Sequence, residues 1–228
     1  MKNIIVTGSS SGLGEYICDA ALLEGLNPIG LARTPANHSR FITFECDVSD
    51  HTQVKNTFKQ IKKKNEPHVL INTAGIASMN LFLTTPPKKM QQIVNTNVLG
   101  TMYCCQEALK CFVRQKNRNL IINFSTIAVP LSLKGESVYV ASKGAVESFS
   151  KTLARESADF NCNVNVIAPG PVDTKLISGI PDSKIQDIVN HQIINQKATK
   201  KDIWKLCKLL MLDEAKDITG EIINVKGA

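Results

Sequence analysis

The stretch from Asn123 to Lys143, NFSTIAVPLSLKGESVYVASK, places two hydroxyls, a phenol and an amine close together in the chain. Tyr139 and Lys143 are four positions apart, so on a helix they share one face. A free phenol ionises at about pH 10, too high for ready proton exchange near neutrality. A neighbouring ammonium, together with a positive nicotinamide ring, would favour the phenolate and pull that value down. The pairing suits exchange between a carbonyl and an alcohol, where a cofactor carries hydride and the phenol carries the proton. A hydroxyl just before it, from Ser125 or Thr126, would steady the substrate oxygen.

These groups need a scaffold that brings a strand exit against a helix. Seven short runs rich in Ile and Val recur along the chain: 3–7, 28–32, 41–45, 68–72, 120–124, 163–168 and 221–225. They lack polar alternation, which is the pattern of strands buried on both faces. Amphipathic segments separate them. Leu13, Ile17, Ala20 and Ala21 share a face, and Gly25 is placed to end that helix. Val54, Phe58 and Ile61 form a second stripe. The spacing predicts a long helix over 86–113, with Thr85 as N-cap and Pro86 at its first position. It predicts another over 138–160. The fold expected is α/β, a three-layer, doubly wound, seven-stranded and mostly parallel sheet with right-handed crossovers. Such sheets take ligands outside the carboxyl ends of their strands.

The first of those ends carries TGSSSGLG, residues 7–14. Gly8 permits a tight turn, Gly12 lets a phosphate approach the backbone, and Gly14 allows a helix to pack closely on its strand. Ser10, Ser11 and Leu13 complete the candidate cradle, in which amides at a helix start bind pyrophosphate. At the end of the second run stand Ala32 and Arg33, where an acidic residue would accept the ribose hydroxyls of NAD. An Arg can neutralise a 2′-phosphate through forked hydrogen bonds, which favours NADP(H) over NAD(H).

The bulk properties narrow the class. A chain of 228 residues suits one domain spanning 1–228, with 169–189 its least regular part. No apolar run approaches a membrane span, and the first residues read as a strand rather than a leader. Seven scattered cysteines show neither CxxC pairs nor metal spacing, consistent with reduced thiols in the cytoplasm. The net charge of +7 is spread along the chain without interleaved aromatics, which argues against nucleic acid and leaves room for an acidic small partner. The local run Lys62–Lys64 fits the C-terminal end of a helix.

Taken in order, TGSSSGLG, CDV (46–48), NTAG (72–75), NTNVLG (95–100), the strand ending in ST, YVASK, IAPGPVDT (167–174) and ITGEIINVKG resemble the short-chain dehydrogenase/reductase family over nearly the whole chain. The resemblance implies a Rossmann fold with Tyr139 as catalytic acid/base and Lys143 binding the nicotinamide ribose. It implies that Asn97 holds a water in a proton relay. Asp47 and Val48 would contact adenine, Asn72, Ala74 and Gly75 would line the cofactor cleft, and Pro169, Gly170, Val172 and Thr174 would touch the nicotinamide end. The family's serine lies about thirteen residues before the tyrosine, which lands here on Thr126. Alternation along an extended strand also turns Ser125 to the opposite side. A second departure is the closing KGA (226–228), where the family has DGG.

Within the family the chain is similar to 3-oxoacyl-[acyl-carrier-protein] reductases, so a small-molecule or carrier-linked carbonyl substrate is expected. Its specificity would reside in a flap around 174–197 and in the loop 76–86. The family also implies a homodimer or homotetramer through the two long helices. An NAD(H)-dependent dehydrogenase of a sugar, polyol or other small alcohol, and a cofactor-binding sensor or scaffold with little turnover, are the alternatives.

Overall fold

A computed structural model describes residues 2–35 and 40–228. Its sheet has seven strands, β1 (Asn3–Thr7), β2 (Asn27–Ala32), β3 (Ile42–Glu45), β4 (Pro67–Asn72), β5 (Asn119–Phe124), β6 (Cys162–Pro169) and β7 (Ile222–Val225). The order is β3-β2-β1-β4-β5-β6-β7 and every pairing is parallel. Each expected strand is present, with bounds shifted by a residue or two. The helices are α1 (Gly12–Leu23), α2 (His51–Lys64), α3 (Pro87–Val94), α4 (Gly100–Phe112), α5 (Ala128–Leu131), α6 (Ser137–Ser157), α7 (Asp182–Asn190) and α8 (Lys200–Met211).

The uninterrupted apolar runs have the expected cause. Ile4 and Val6 face a core built with α1 and α8, while Ile5 between them faces a second core built with α2, α4 and α6. All three are fully buried, so neither face of β1 tolerates a polar residue without a partner. Helix α1 ends as expected at Gly25, whose φ is +76°. The Leu26 and Gly25 N–H groups donate back to the carbonyls of Ala21 and Leu22, which closes the helix. The Lys62–Lys64 run does lie in the last turn of α2, and Lys62 also donates to the Lys110 carbonyl at 3.1 Å.

Two helix expectations need correction. Pro86 is the cap residue and Pro87 takes the first position of α3, while the Thr85 hydroxyl donates to the Leu81 carbonyl and caps nothing. The helix predicted over 86–113 is split by a wide π turn at Asn95–Leu99. The backbone stays right-handed helical at Val94, Asn95, Leu99 and Gly100, so the axis continues through the turn. π turns of this kind concentrate at functional sites, and this one carries Asn97.

A polar chain crosses the sheet beneath its carboxyl ends. The Thr7 hydroxyl donates to Asn72 Oδ1 (3.4 Å), Asn72 Nδ2 to Asn123 Oδ1 (2.9 Å) and Asn123 Nδ2 to Ser150 Oγ (2.9 Å). It ties β1, β4, β5 and α6 into one register where side chains must be placed precisely. The same region depends on close backbone contact. A Cβ on Gly14 would lie 2.4 Å from the Gly8 carbonyl oxygen and 2.6 Å from Thr73 Oγ1. Gly14→Ala is therefore expected to cost about 1–3 kcal/mol, read as a lower urea midpoint with an unchanged slope. A midpoint equal to wild type would show that α1 does not need this contact.

Candidate active site

The strand order reverses between β1 and β4, and a cleft of about 510 Å³ opens there, outside the strand ends. Gly8, Ser10, Ser11, Gly12, Leu13 and Gly14 line one end of it. Gly8 and Gly12 hold φ of +70° and +67°, a conformation that side-chain-bearing residues adopt at a cost. Ser11 sits at the cap position of α1 but makes no side-chain hydrogen bond to it, so the first amides keep their donors. A tight glycine loop leading to an uncapped helix start fits a pyrophosphate.

Beyond the loop, Ala32, Arg33, Thr34, Asp47 and Val48 line the cleft at the ends of β2 and β3. The Asp47 carboxylate accepts from the Ser49 amide (2.9 Å) and hydroxyl (2.7 Å), which fixes the turn. Ala74 and Gly75 form the floor, while Pro169, Gly170, Val172 and Thr174 close the far wall.

At that far end the opening question about the two hydroxyls has a geometric answer. Past β5, the Ser125 amide donates to the Ile167 carbonyl (2.9 Å) and the Ile127 amide to the Pro169 carbonyl (3.1 Å), so the chain remains pinned to β6. The Ser125 hydroxyl donates to the Glu147 carboxylate on α6. The Thr126 hydroxyl accepts the Ala128 amide at 3.2 Å and lies near enough to the Tyr139 phenol to favour its ionised form. Lys143 donates to the Phe124 carbonyl at 2.7 Å, with its Nζ 6.0 Å from the centre of the Tyr139 ring.

Burial governs the charges. It lowers the Lys143 ammonium to about 8 and raises the Tyr139 phenol above its usual value. The negative charge of Glu136 raises the phenol further, and the Thr126 hydroxyl opposes both. Sequence reasoning expected the ammonium to draw the phenol down. In the protein by itself desolvation dominates, and the Lys143 ammonium donates its hydrogen bond to the Phe124 carbonyl rather than to the phenol.

Asn72, expected along the cleft, and Asn97, expected to hold a relay water, both have side chains engaged within the protein. Asn72 is buried in the cross-sheet polar chain, where it also donates to Cys105 Sγ. Asn97 is fully buried. Its amide donates to the Ile76 carbonyl (2.9 Å) and Ser142 Oγ (3.0 Å), and its Oδ1 accepts the Ile76 amide (2.9 Å). It stays near the site nonetheless, since a Cβ on Gly75 would lie 3.4 Å from Asn97 Oδ1 and 3.6 Å from Lys143 Nζ.

Sequence reasoning missed Leu133 and Glu136, while the rest of that wall, Leu176, Ile177, Ile180, Ile185 and Ile188, falls within the flap expected around 174–197. Glu136 stands three positions before Tyr139, a helical spacing that could have flagged it.

This fold and cleft define a dinucleotide-dependent oxidoreductase. A family model described as enoyl-(acyl carrier protein) reductase matches residues 30–227. The chain belongs to the short-chain dehydrogenase/reductase family. It is 32% identical to a 3-oxoacyl-[acyl-carrier-protein] reductase of Bos taurus over 235 residues, covering 99% of this chain and 97% of the relative. It is 28% identical to the FabG reductase of Escherichia coli K12, over 99% and 96% of the two chains. Among solved structures it resembles the aldohexose dehydrogenase of Thermoplasma acidophilum, with a TM-score of 0.89, 27% identity and coverage of 98% and 92%. The fold also matches 4-hydroxyisoleucine dehydrogenase complexed with NADH, with a TM-score of 0.92, 24% identity and coverage of 100% and 98%. The protein is accordingly an NAD(P)-dependent oxidoreductase.

The buried ammonium has a thermodynamic consequence. Its pKa is about 8 in the folded protein against 10.5 when exposed, a difference worth about 3 kcal/mol against folding at neutral pH. The unfolded chain holds the proton more tightly, so stability from this group rises between about pH 8 and pH 10.5. Lys143→Met should be more stable than wild type at pH 7, and that advantage should shrink as pH rises through this window. Chemical denaturation at several pH values measures it; an advantage independent of pH would contradict the assignment.

Proposed function

We propose that the protein interconverts a carbonyl and a secondary alcohol with NADP(H). The convergence of Thr126, Tyr139 and Lys143 at the far end of the dinucleotide cleft carries this reading. When bound, the dinucleotide supplies or accepts the hydride. Thr126 and Tyr139 hold the substrate oxygen. Tyr139 delivers its proton to that oxygen in reduction, and a phenol kept protonated by burial suits this direction. Lys143, at about 8, is able to restore the proton near neutrality. Asn97 orients Ile76 and the floor beside Lys143, and a relay water on it would use the main-chain carbonyl, because the side chain is already bonded.

The names of the relatives support a carrier-linked 3-oxoacyl substrate, and the Ile-rich wall suits an apolar acyl body. Residues 174–197 serve as the substrate flap of a single domain spanning 1–228, and the enzyme works in the cytoplasm, where its seven buried thiols stay reduced. Consumption of NADPH with 3-oxobutanoyl thioesters tests the reading directly. Tyr139→Phe should lower kcat by about 10²–10⁴-fold while NADPH still binds. Tight NADPH binding with no turnover across a broad ketone panel would favour a sensor.

Arg33 lines the cleft where a 2′-phosphate would lie. Arg33→Asp should lower the preference for NADPH over NADH by about tenfold or more, measured as the ratio of kcat/KM values. Equal use of both cofactors by the wild type would remove the argument for NADP(H).

A second copy of the chain is proposed to cover the outer face of α3 and α6. Phe82 and Val94 are exposed there, and with Met90, Val98, Val138 and Ala145 they line a largely apolar groove. Sedimentation should report a dimer or tetramer at micromolar concentration. A 25.0 kDa species alone would contradict it.

A further inference from the structure

Of the two buried glutamates among the described residues, Glu107 is paired with Lys110 at 2.7 Å. The other, Glu136, is only 9% exposed and lines the cleft beside Tyr139. Its main chain is occupied, since its N–H donates to the Leu133 carbonyl (3.3 Å) and its own carbonyl accepts the Val140 amide (2.7 Å). Its carboxylate has neither a hydrogen bond nor an ion pair among the described residues, and burial alone raises its pKa. Around it the cleft is apolar, formed by Leu133, Ile177, Ile180, Ile185 and Ile188. The titratable groups facing this space are Tyr139 and Lys143 from α6, with Lys175 from the segment after β6. Lys143 is committed to Phe124, and Lys175 forms no ion pair with Glu136.

The Glu136 carboxylate faces the open cleft, and a molecule that seals this end must bring a donor to it or leave the charge unpaired. The carboxylate also opposes ionisation of the adjacent phenol, and a bound donor relieves that as well. We propose that Glu136 is a specificity-determining residue that selects carbonyl substrates carrying an O–H or N–H donor near the reacting carbon. This rests on the carbonyl–alcohol reading given above. A hydroxylated ketone, an amino ketone and the amide of a carrier thioester arm each carry such a donor. All three present the same hydrogen to the carboxylate, with the apolar remainder of the molecule on the Ile wall.

The test compares ketones of matched length: one plain, one with a hydroxyl, one with an ammonium and one with a thioester-linked amide. Turnover is read as NADPH oxidation, and binding of the corresponding alcohols is read by calorimetry. The wild type should favour at least one donor-bearing ketone over the plain one by about tenfold or more in kcat/KM. Glu136→Leu should abolish that preference, raise kcat/KM for the plain ketone a few-fold and weaken the donor-bearing alcohol about tenfold. Glu136→Gln should keep much of the preference for a hydroxyl or amide but lose that for an ammonium, which identifies the donor. NADPH binding by Glu136→Leu, followed by fluorescence, checks that the fold is retained. Turnover without discrimination in the wild type, or an equal loss for all four ketones in Glu136→Leu, would overturn the role of Glu136 alone. No turnover of any ketone would overturn this role and the carbonyl–alcohol reading together.

Discussion

The structure is organised around keeping an ammonium inside a protein. Lys143 is buried, and its hydrogen-bond partner among the described residues is one carbonyl, that of Phe124, 2.7 Å away. That carbonyl is available because β5 ends at Phe124 and the chain then turns into the cleft. The amine reaches it because α6 packs along β5 and β6 in a register set by Asn123 and Ser150. Gly75 lies beside it, where a Cβ would stand in ordinary contact, 3.6 Å from Nζ. Sheet topology, strand length and one helix register thus converge on a single charged atom. Its depressed pKa is the measure of that arrangement.

How much of this could be read from the sequence follows from which forces act locally. The strands were legible because burial on both faces demands unbroken apolar runs, as at Ile4, Ile5 and Val6. The glycine loop was legible because a positive φ at Gly8 and Gly12 and the close approach at Gly14 each exclude other residues. The choice of Thr126 over Ser125 followed from strand alternation and family register, and the hydroxyls do separate, one to Tyr139 and the other to Glu147. What stayed hidden depends on contacts between distant segments. Nothing local in NTNVLG announces a π turn, because it is Ile76, about twenty residues earlier, that binds the Asn97 side chain. Asn72 follows a buried strand and reads equally well as a wall residue or a cross-sheet brace; only Thr7 and Asn123 on neighbouring strands decide it.

The two ends of the cleft differ in what they are made of, and this bears on how far family membership reaches. The pyrophosphate end is built from backbone amides and absent side chains, so its chemistry is carried by glycine spacing and survives wide divergence elsewhere. The far end is lined by Leu133, Glu136 and the isoleucines of 177–188, all of them side chains that substitution alters freely. A relative that shares the fold at 27% identity is an aldohexose dehydrogenase, while one at 32% is a 3-oxoacyl reductase. The second end must be argued from its own residues, and there the one unpaired polar group in an apolar wall carries the most information.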